Sequence, residues 1–415
     1  MIIWRDGVVV GRGRAWRGAV EVEVRLDDDA VVRSLAYPAI VGDPQIGDRV
    51  LVTTAALERG LGTGGYGYVA AIPDQLPPDP DAGPGHLVKA RYTPLQPMVL
   101  GVDEQESDSH AVLAEADDLG GMPVVVADLH SALPAVLAGM RAEAEAAGRP
   151  APRVAYLMTD GGALPAWFSR SLAQLRDAGW LEASITVGQA FGGDLEAVTM
   201  HSGLLAARHV LGVDAVVVAQ GPGNLGTGTR WGFSGVAAGE VLNAVGVLGG
   251  RGIASLRVSD ADERGRHRGV SHHSLTAYGR VALAASDVVV PLSLGVEVAG
   301  WGDGIEDDVV ASARGITAPH TPHRYVPQPL AGLLEALACD DRAVESDRAD
   351  VERIDLGVDR HRDHPGVGHD DGGGSTDASQ GLGCPLDYEA GALQLAHEVG
   401  DRRAVQPRRL GQGGA

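Results

Sequence analysis

The densest group of side chains that could perform acid–base or metal chemistry lies in the segment SDADERGRHRGVSHH, residues 259–273. It holds three histidines and three arginines together with carboxylates. Histidines and carboxylates can bind a transition metal or move protons, and arginines bind phosphate or carboxylate groups through paired hydrogen bonds. The sequence has no H-E-x-x-H motif, which weakens the case for a metal site. Metal binding and acid–base chemistry therefore both remain open for this segment. The candidates here are Asp260, His267, His272 and His273 for catalysis, and Arg264 and Arg266 for anion binding.

A glycine-rich stretch, GPGNLGTGTRWGFSG at residues 221–235, is the second feature that could bind a ligand. Its start matches G-x-G-x-x-G, the pattern of dinucleotide-binding loops. Three features disfavour a dinucleotide site. The strand before the stretch is the fourth of its series and not the first, the acid expected about 20 residues later comes later than that, and the turn is longer than in a dinucleotide-binding loop. A P-loop is excluded because no lysine follows the glycines. A cradle for an anion and a purely structural connection remain open. The candidate ligand-binding residues are Gly221, Gly223, Asn224, Gly226, Thr227, Gly228, Thr229 and Arg230.

Small and polar residues also follow the other apolar runs that we interpret as strands. Aspartate is a favoured helix N-cap, so capping is the alternative role for the carboxylates among them. Glycines at these places let a ligand approach the backbone closely. The catalytic candidates are Asp128, His130 and Asp160, and the ligand-binding candidates are Gly161, Gly162, Gly192 and Gly193.

The elements that must position these residues are predicted for residues 86–338. There, continuous apolar β-branched runs alternate with amphipathic helical stretches, which is typical of a parallel sheet covered on both faces. We therefore predict a Rossmann-like, doubly wound, mostly parallel α/β domain. Ligands bind such sheets beyond the carboxyl ends of the strands. Since the candidates all follow strands, we expect them to share one site.

The two ends of the chain have a different character. Residues 1–85 contain short β-rich runs, one of which, EVEVRL, alternates strictly, and predict a small all-β barrel or sandwich. Residues 73–85, PDQLPPDPDAGPG, have the composition of a linker. Residues 339–415 form a low-complexity tail rich in Asp, Arg, Gly and His, which we interpret as disordered or as the product of a shifted reading frame.

Composition narrows the class of partner. The 415 residues carry a formal net charge of −21, which disfavours nucleic acid because that partner needs clustered basic residues. No apolar run reaches the length of a membrane span, and the N-terminus does not resemble a signal peptide. The two cysteines, Cys339 and Cys384, form no zinc-ligand pattern. We expect a cytoplasmic protein with a small anionic ligand, an unspecified cofactor and no membrane partner, for which a homo-oligomer is one option.

The motifs TDGGALPAWFS, GQAFGGDLEAV, GPGNLGTGTRWGFSG and RGRHRGVSHHSLTA, with RYTPLQ and ADLHS, support a resemblance. Together they resemble a conserved bacterial family of unknown function over about residues 1–338. The resemblance implies no activity and no catalytic residue. Members of the family continue in a more apolar way where this chain becomes rich in Asp and Arg, which favours the shifted-frame interpretation of the tail.

Three functional hypotheses follow from the sequence. The first is an enzyme that acts on a small anionic or phosphorylated metabolite at the carboxyl edge of the sheet. The second is a non-catalytic protein that binds or senses a nucleotide or metabolite. The third is an NAD(P)-dependent oxidoreductase, which the departures from the dinucleotide pattern disfavour.

Overall fold

The computed structural model describes residues 2–62, 64–80, 83–259, 262–292 and 324–329. The catalytic candidate Asp260 and the predicted tail at 339–415 lie outside these residues. Within them the chain forms a small closed barrel followed by a large parallel sheet with helices. The mixed α/β content and the small N-terminal β structure are therefore as predicted.

The N-terminal part is a five-stranded barrel with the strand order β1-β2-β3-β5-β4. Alternate side chains of its strands point inward, so valines such as Val22, Val24 and Val52 fill the core. Two one-turn helices, α1 (Pro38–Val41) and α2 (Ala55–Glu58), lie in its connections. The strands are β1 (Trp4–Trp16), β2 (Ala19–Leu26), β3 (Val31–Ala36), β4 (Arg49–Thr53) and β5 (Gly67–Ala71).

A short antiparallel pair, β6 (Leu87–Val88) and β7 (Met98–Val99), connects the barrel to the large sheet. The large sheet has eight strands, all paired in parallel, in the order β11-β10-β9-β12-β8-β13-β16-β17. A second short antiparallel pair, β14 (Val258–Ser259) and β15 (Gly269–Val270), follows β13. The sheet strands are β8 (Pro123–Val126), β9 (Val154–Thr159), β10 (Ala183–Thr186), β11 (Leu195–Glu196), β12 (Ala215–Gln220), β13 (Arg251–Ser255), β16 (Asp287–Leu292) and β17 (Arg324–Pro329).

Helices cover both faces of this sheet, which explains why central strands such as β8 and β12 are almost entirely apolar. Side chains alternate between faces, so Val124 and Val126 pack in one core while Val125 packs in the other. Helices α4 and α5 cover the second face, and α6, α7 and α8 cover the first. The helices are α3 (His110–Ala114), α4 (Ala132–Ala146), α5 (Arg170–Asp177), α6 (Met200–Ala206), α7 (Ala237–Val247) and α8 (His272–Thr276). Helices α6 and α8 continue as π-helical turns at Ala207–Leu211 and Ala277–Val281.

The strand order determines which loops can form a site. Strand β8 lies between β12 and β13, although β9 and β10 follow it in sequence. The carboxyl ends of these three neighbouring strands therefore bring together the residues after Val126, the glycine-rich stretch and the histidine-rich segment. The loops after β9 and β10 lie farther along the same edge.

The barrel packs against that edge through aromatic side chains. Trp16 Nε1 donates a hydrogen bond of 2.7 Å to the carbonyl oxygen of Trp167, and the Tyr37 and Trp167 rings lie 6.1 Å apart. Gly18 has φ +81°, and a Cβ there would collide with the Trp167 ring. Arg17 also forms a 2.6 Å ion pair with Asp194. The barrel thus contacts the loops after β9 and β10.

Candidate functional site

Ser271 positions two of the predicted catalytic histidines. It is the N-cap of α8, where its Oγ accepts a hydrogen bond of 3.2 Å from the backbone N–H of His273. The same Oγ lies 2.7 Å from Nδ1 of His267, and the Ser271 side chain is fully buried. Its contacts fix the start of α8 and the His267 ring together, and leave Nε2 of His267 available to another partner.

His267, His272 and His273 form what we call the histidine cluster. Their ring centroids lie 4.4 to 4.9 Å apart, and one ring nitrogen from each lies within 4.8 Å of the others. The Phe233 ring stacks on His273 with centroids 3.8 Å apart and planes 4° apart. His272 and His273 are the first two residues of α8, and both rings lie against Phe233 and His267.

The environment of the cluster keeps two of its imidazoles neutral at pH 7. Burial, followed by the positive charge of Arg257, lowers the pKa of His267 to about 3. Burial and the neighbouring His273 lower the pKa of His272 to about 4. A neutral imidazole has one nitrogen lone pair, which can accept a proton or bind a metal.

Asp128 lies beside the cluster as a buried carboxylate. The residue is 1% exposed, and its Oδ2 lies 3.6 Å from Nδ1 of His273. Neither carboxylate oxygen has a hydrogen-bond partner in the described part of the chain. Helix α4 begins after Ser131 without a side-chain cap, so Asp128 makes no capping bond. A buried carboxylate without a hydrogen-bond partner is costly, so Asp128 is a candidate for contact with a ligand.

Two further buried polar atoms near Asp128 lack partners among the described residues: Oε1 of Gln220 and Nε2 of His272. Gln220 is the last residue of β12, and its Nε2 donates to the carbonyl oxygen of Asp128 at 3.1 Å. Asp128 and Gln220 line a small recess together with Thr159 and Ser234. Its volume of about 10 Å³ is that of a single water molecule, so the recess suits only one small polar group of a ligand.

Arginines surround the histidine side of the site. Asp262 accepts from both Arg257 (3.2 Å) and Arg264 (2.9 Å), and hydrogen bonds from Arg264 oppose the effect of burial and lower the pKa of Asp262 to about 2. The predicted anion-binding residue Arg264 is therefore already paired. Arg266 is exposed and has no ion-pair partner within the described ranges, while its charge contributes to the low pKa of His272.

The glycine-rich stretch forms an exposed hairpin, which we call the flap (Gly223–Phe233). Gly226 and Phe233 pair across it, and the backbone N–H of Thr227 donates to the carbonyl oxygen of Gly232 at 2.7 Å. The Thr227 and Thr229 hydroxyls lie 3.1 Å apart within the hairpin. At the tip, Gly228 has φ +76° and Arg230 is exposed.

The base of the flap touches the histidine cluster. Asn224 Nδ2 lies 3.5 Å from Nδ1 of His273, and Asn224 Oδ1 accepts from the Ser234 hydroxyl at 2.8 Å. Phe233, at the other end of the flap, stacks on the same histidine. Of the predicted ligand-binding residues in the stretch, Asn224 is therefore the one that contacts the cluster.

Several predicted glycines are packed against protein atoms. A Cβ on Gly162 would collide with the carbonyl oxygen of Gly221, and a Cβ on Gly221 would collide with that of Ala163. Gly161 lies against Oε1 of Gln220, Gly192 against the Trp167 ring and Gly193 against Thr186. These contacts supply a structural reason for the glycines. By contrast, Gly223, Gly226 and Gly228 have open space where a Cβ would stand.

Two other predicted catalytic residues lie in separate networks. His130 is buried, with Nδ1 at 2.8 Å from the Tyr156 hydroxyl and Nε2 at 2.6 Å from Ser169 Oγ. Asp160 accepts from the backbone N–H of Gln189 at 2.9 Å, in the loop after β9. The hydrogen-bond partners of both residues lie outside the histidine cluster, so among the described residues the structure joins Asp128, but not these two, to the cluster.

Sequence reasoning missed four residues that shape the site: Gln220, Phe233, Arg257 and Ser271. Arg257 carried the clearest signal, because it is a charged residue within the apolar run GIASLRVS. Gln220 likewise interrupts an apolar strand at its end. Phe233 and Ser271 carried no signal of their own, since their roles depend on tertiary contacts with the histidines.

Within the described residues, none of the helices combines the length and the apolar character needed to cross a bilayer.

Comparison with known proteins identifies a family without assigning an activity. No curated protein matches the sequence. A family model described as a protein of unknown function (DUF3866) matches residues 33–340, which span most of the chain, from β3 onward, and end where the composition changes. The chain therefore belongs to the DUF3866 family of proteins of unknown function.

Proposed function

We propose that the chain is an enzyme that binds a small anionic metabolite at the carboxyl edge of the parallel sheet. One observation carries this proposal. Buried polar atoms of Asp128, Gln220 and His272 lack partners in the described residues and lie around the ends of adjacent strands. Each such atom costs about 1 to 3 kcal/mol when left unsatisfied, and a bound ligand would recover that cost.

The atoms around the site indicate the chemistry of the ligand. The Asp128 carboxylate and Gln220 Oε1 accept hydrogen bonds, so the ligand presents hydroxyl or amino donors to the recess. Arg257 and Arg266 supply positive charge on the histidine side, where a phosphate or carboxylate group would bind. A hydroxylated anion satisfies both sides.

Chemistry is proposed in addition to binding because the histidine cluster, in which burial keeps His267 and His272 neutral at pH 7, lies beside the buried carboxylate. His272 and His273 face the place where the ligand's donors would meet Asp128, and such groups move protons in many active sites. A non-catalytic sensor could use the same contacts, and turnover separates the two. The exposed flap replaces the tight turn of a dinucleotide site, so the geometry lends the nicotinamide alternative no support.

We further infer that the α/β part is a doubly wound, Rossmann-like domain. The support is the parallel pairing, the helices on both faces and the insertion of β12 between β8 and β9. A cytoplasmic location and self-association belong to the same proposal and rest on composition alone.

Binding by the full chain tests the proposed function. We expect phosphorylated sugars or hydroxy acids to raise the melting temperature, since a ligand at 100 times its Kd adds about 2.7 kcal/mol. Arg266→Ala should remove the shift, and Arg25→Ala, which changes an exposed arginine of the barrel, should keep it. Mass spectrometry of the incubated compound then detects turnover. If no compound of either class shifts the wild-type chain, the proposal fails.

A further inference from the structure

We propose that the histidine cluster is a binding site for a first-row divalent transition metal such as Zn²⁺. His267, His272 and His273 each bring one ring nitrogen to within 4.8 Å of the others. This inference deepens the proposed function, because the metal would be the partner of the anionic group at the same site.

The geometry is close to that of a three-histidine metal site. Zn–N distances of about 2.0 to 2.1 Å in a tetrahedral site place the nitrogens about 3.3 Å apart. The nitrogens of the cluster lie within 4.8 Å of one another, up to about 1.5 Å more than this distance, so the three rings would move closer together around a bound ion. Three imidazoles leave a fourth position open, which is the pattern of catalytic rather than structural zinc sites.

The hydrogen bonds around the rings also fit metal binding. A ligating histidine usually holds its second nitrogen against an oxygen atom, which fixes the ring. His267 Nδ1 lies 2.7 Å from Ser271 Oγ. His273 Nδ1 lies farther from its neighbours, 3.5 Å from Asn224 Nδ2 and 3.6 Å from the Asp128 carboxylate. The Nε2 of His272 is buried without a partner among the described residues, as expected for a nitrogen that would bind the metal.

The charges nearby favour a cation that itself holds an anion. Asp128 places an unpaired carboxylate beside His273, which attracts a divalent ion. Arg257 would repel that ion, but Asp262 accepts a hydrogen bond from the Arg257 guanidinium. Because imidazole ligands carry no charge when they bind a metal, the ion would keep its charge of +2, so an anionic ligand would bind at its open position, with Arg266 nearby. Nitrogen donors select Zn²⁺, Co²⁺ or Ni²⁺ over Mg²⁺.

Metal binding by the full-length protein, stripped with a chelator, tests the site. We expect one equivalent of Zn²⁺ to bind tightly in the presence of a 100-fold excess of Mg²⁺. Co²⁺ should give the visible absorption bands of a tetrahedral nitrogen-rich site. His272→Gln and His267→Ala should each weaken binding at least 100-fold, while His201→Ala, which removes an exposed histidine of α6, should bind as the wild type does.

A second variant separates metal loss from misfolding. Ser271→Ala keeps all three histidines but removes the partner of His267, and should weaken Zn²⁺ binding about 10- to 100-fold. Equal Zn²⁺ affinity in the wild type and in the His267 and His272 variants would overturn the metal site, as would the absence of any stoichiometric binding. Circular dichroism of each variant confirms that it is folded.

The metal site and the proposed function can fail independently. Zn²⁺ binding is measured without any metabolite, and metabolite binding is measured by thermal shift with and without Zn²⁺. Metabolite shifts without metal binding would overturn the metal inference alone. One equivalent of bound Zn²⁺ without any metabolite shift would overturn the proposed function and leave the metal site standing.

Discussion

At the scale of single residues, Asp128 combines the features of a side chain kept for function rather than stability. Its carboxylate is buried and unpaired in the described structure. Proteins commonly lose stability at such sites, since the geometry that suits the ligand is strained or unsatisfied without it. We therefore expect Asp128 to lower the free energy of unfolding of the unliganded protein, as residues of a binding site commonly do.

Replacing Asp128 by asparagine should separate stability from function. We expect Asp128→Asn to raise the free energy of unfolding by about 1 kcal/mol or more, because a neutral amide is cheaper to bury than an unpaired carboxylate. The same variant should lose the thermal shift that anionic metabolites produce. Urea denaturation and the ligand screen measure the two effects. A variant that is less stable than the wild type would show that Asp128 has a structural role instead.

His130 offers a second residue-scale test, through pH. Burial lowers its pKa to about 4, below the value of about 6.5 expected in the unfolded chain. Between these values the unfolded chain binds the proton and the folded protein does not, so stability falls as the pH decreases from about 6.5 to about 4.

The contribution of His130 should be about 1.4 kcal/mol per pH unit in that range. His130→Gln removes it, so the variant should show a shallower loss of unfolding free energy between pH 6.5 and pH 4 than the wild type. Denaturation in urea at several pH values measures the slopes. Since His267 and His272 also have lowered pKa values, some slope should remain. Identical slopes would contradict the assignment.

At the scale of elements, two glycine motifs that look alike in sequence have different roles. TDGG packs against the loop after β12, where Gly162 meets the backbone of Gly221. The flap instead projects into open space at Gly226. Sequence alone could not separate them, because the difference lies in whether another loop stands next to the glycine.

Matched alanine substitutions test this difference. Gly162→Ala should lower the free energy of unfolding by about 3 kcal/mol, since its Cβ would collide with a backbone oxygen that cannot move easily. Gly226→Ala should change it by less than about 0.5 kcal/mol. Urea denaturation provides both values. Comparable losses would mean that the flap is packed against something.

The elements were more predictable than their arrangement. Alternating apolar runs and helices such as PVVVADLHS followed by ALPAVLAGM predicted the parallel sheet, because buried strands and amphipathic helices have distinct periodicities. The density of His and Arg indicated the segment in which the structure brings His267 and His272 together; their role stays a prediction. The strand order could not be predicted, since it depends on contacts between distant residues, and it alone decides that Asp128 joins these histidines whereas Asp160 does not.

At the scale of the whole molecule, the barrel and the sheet are joined by an aromatic contact at Trp167. The Trp167 ring lies against Gly18 and near Tyr37 of the barrel, and 5.6 Å from Phe191 of the sheet domain. A contact of this kind couples the unfolding of two parts of a chain. The barrel therefore contributes to the position of the loops after β9 and β10.

Removing the ring should uncouple the two parts. We expect Trp167→Ala to lower the melting temperature and to split a single calorimetric transition into two, because the barrel loses an aromatic contact with the sheet domain. Trp231→Ala, which changes a 56% exposed tryptophan of the flap, is the matched control and should leave the transition intact. A single unchanged transition in the Trp167 variant would show that other contacts join the parts.

The insertion of β12 between β8 and β9 also has a consequence for how the chain is made. In the described sheet, β8 pairs with β12 and β13 and has no direct bond to β9. While the ribosome has released only the first 214 residues, β8 has no neighbour, and β9 and β10 form an unattached half. Pairing across about 90 residues is slow, and until it happens apolar strand edges are exposed to aggregation. Release of Ala215–Gln220 from the ribosome is therefore the moment at which β8 and β9 can first become part of one sheet.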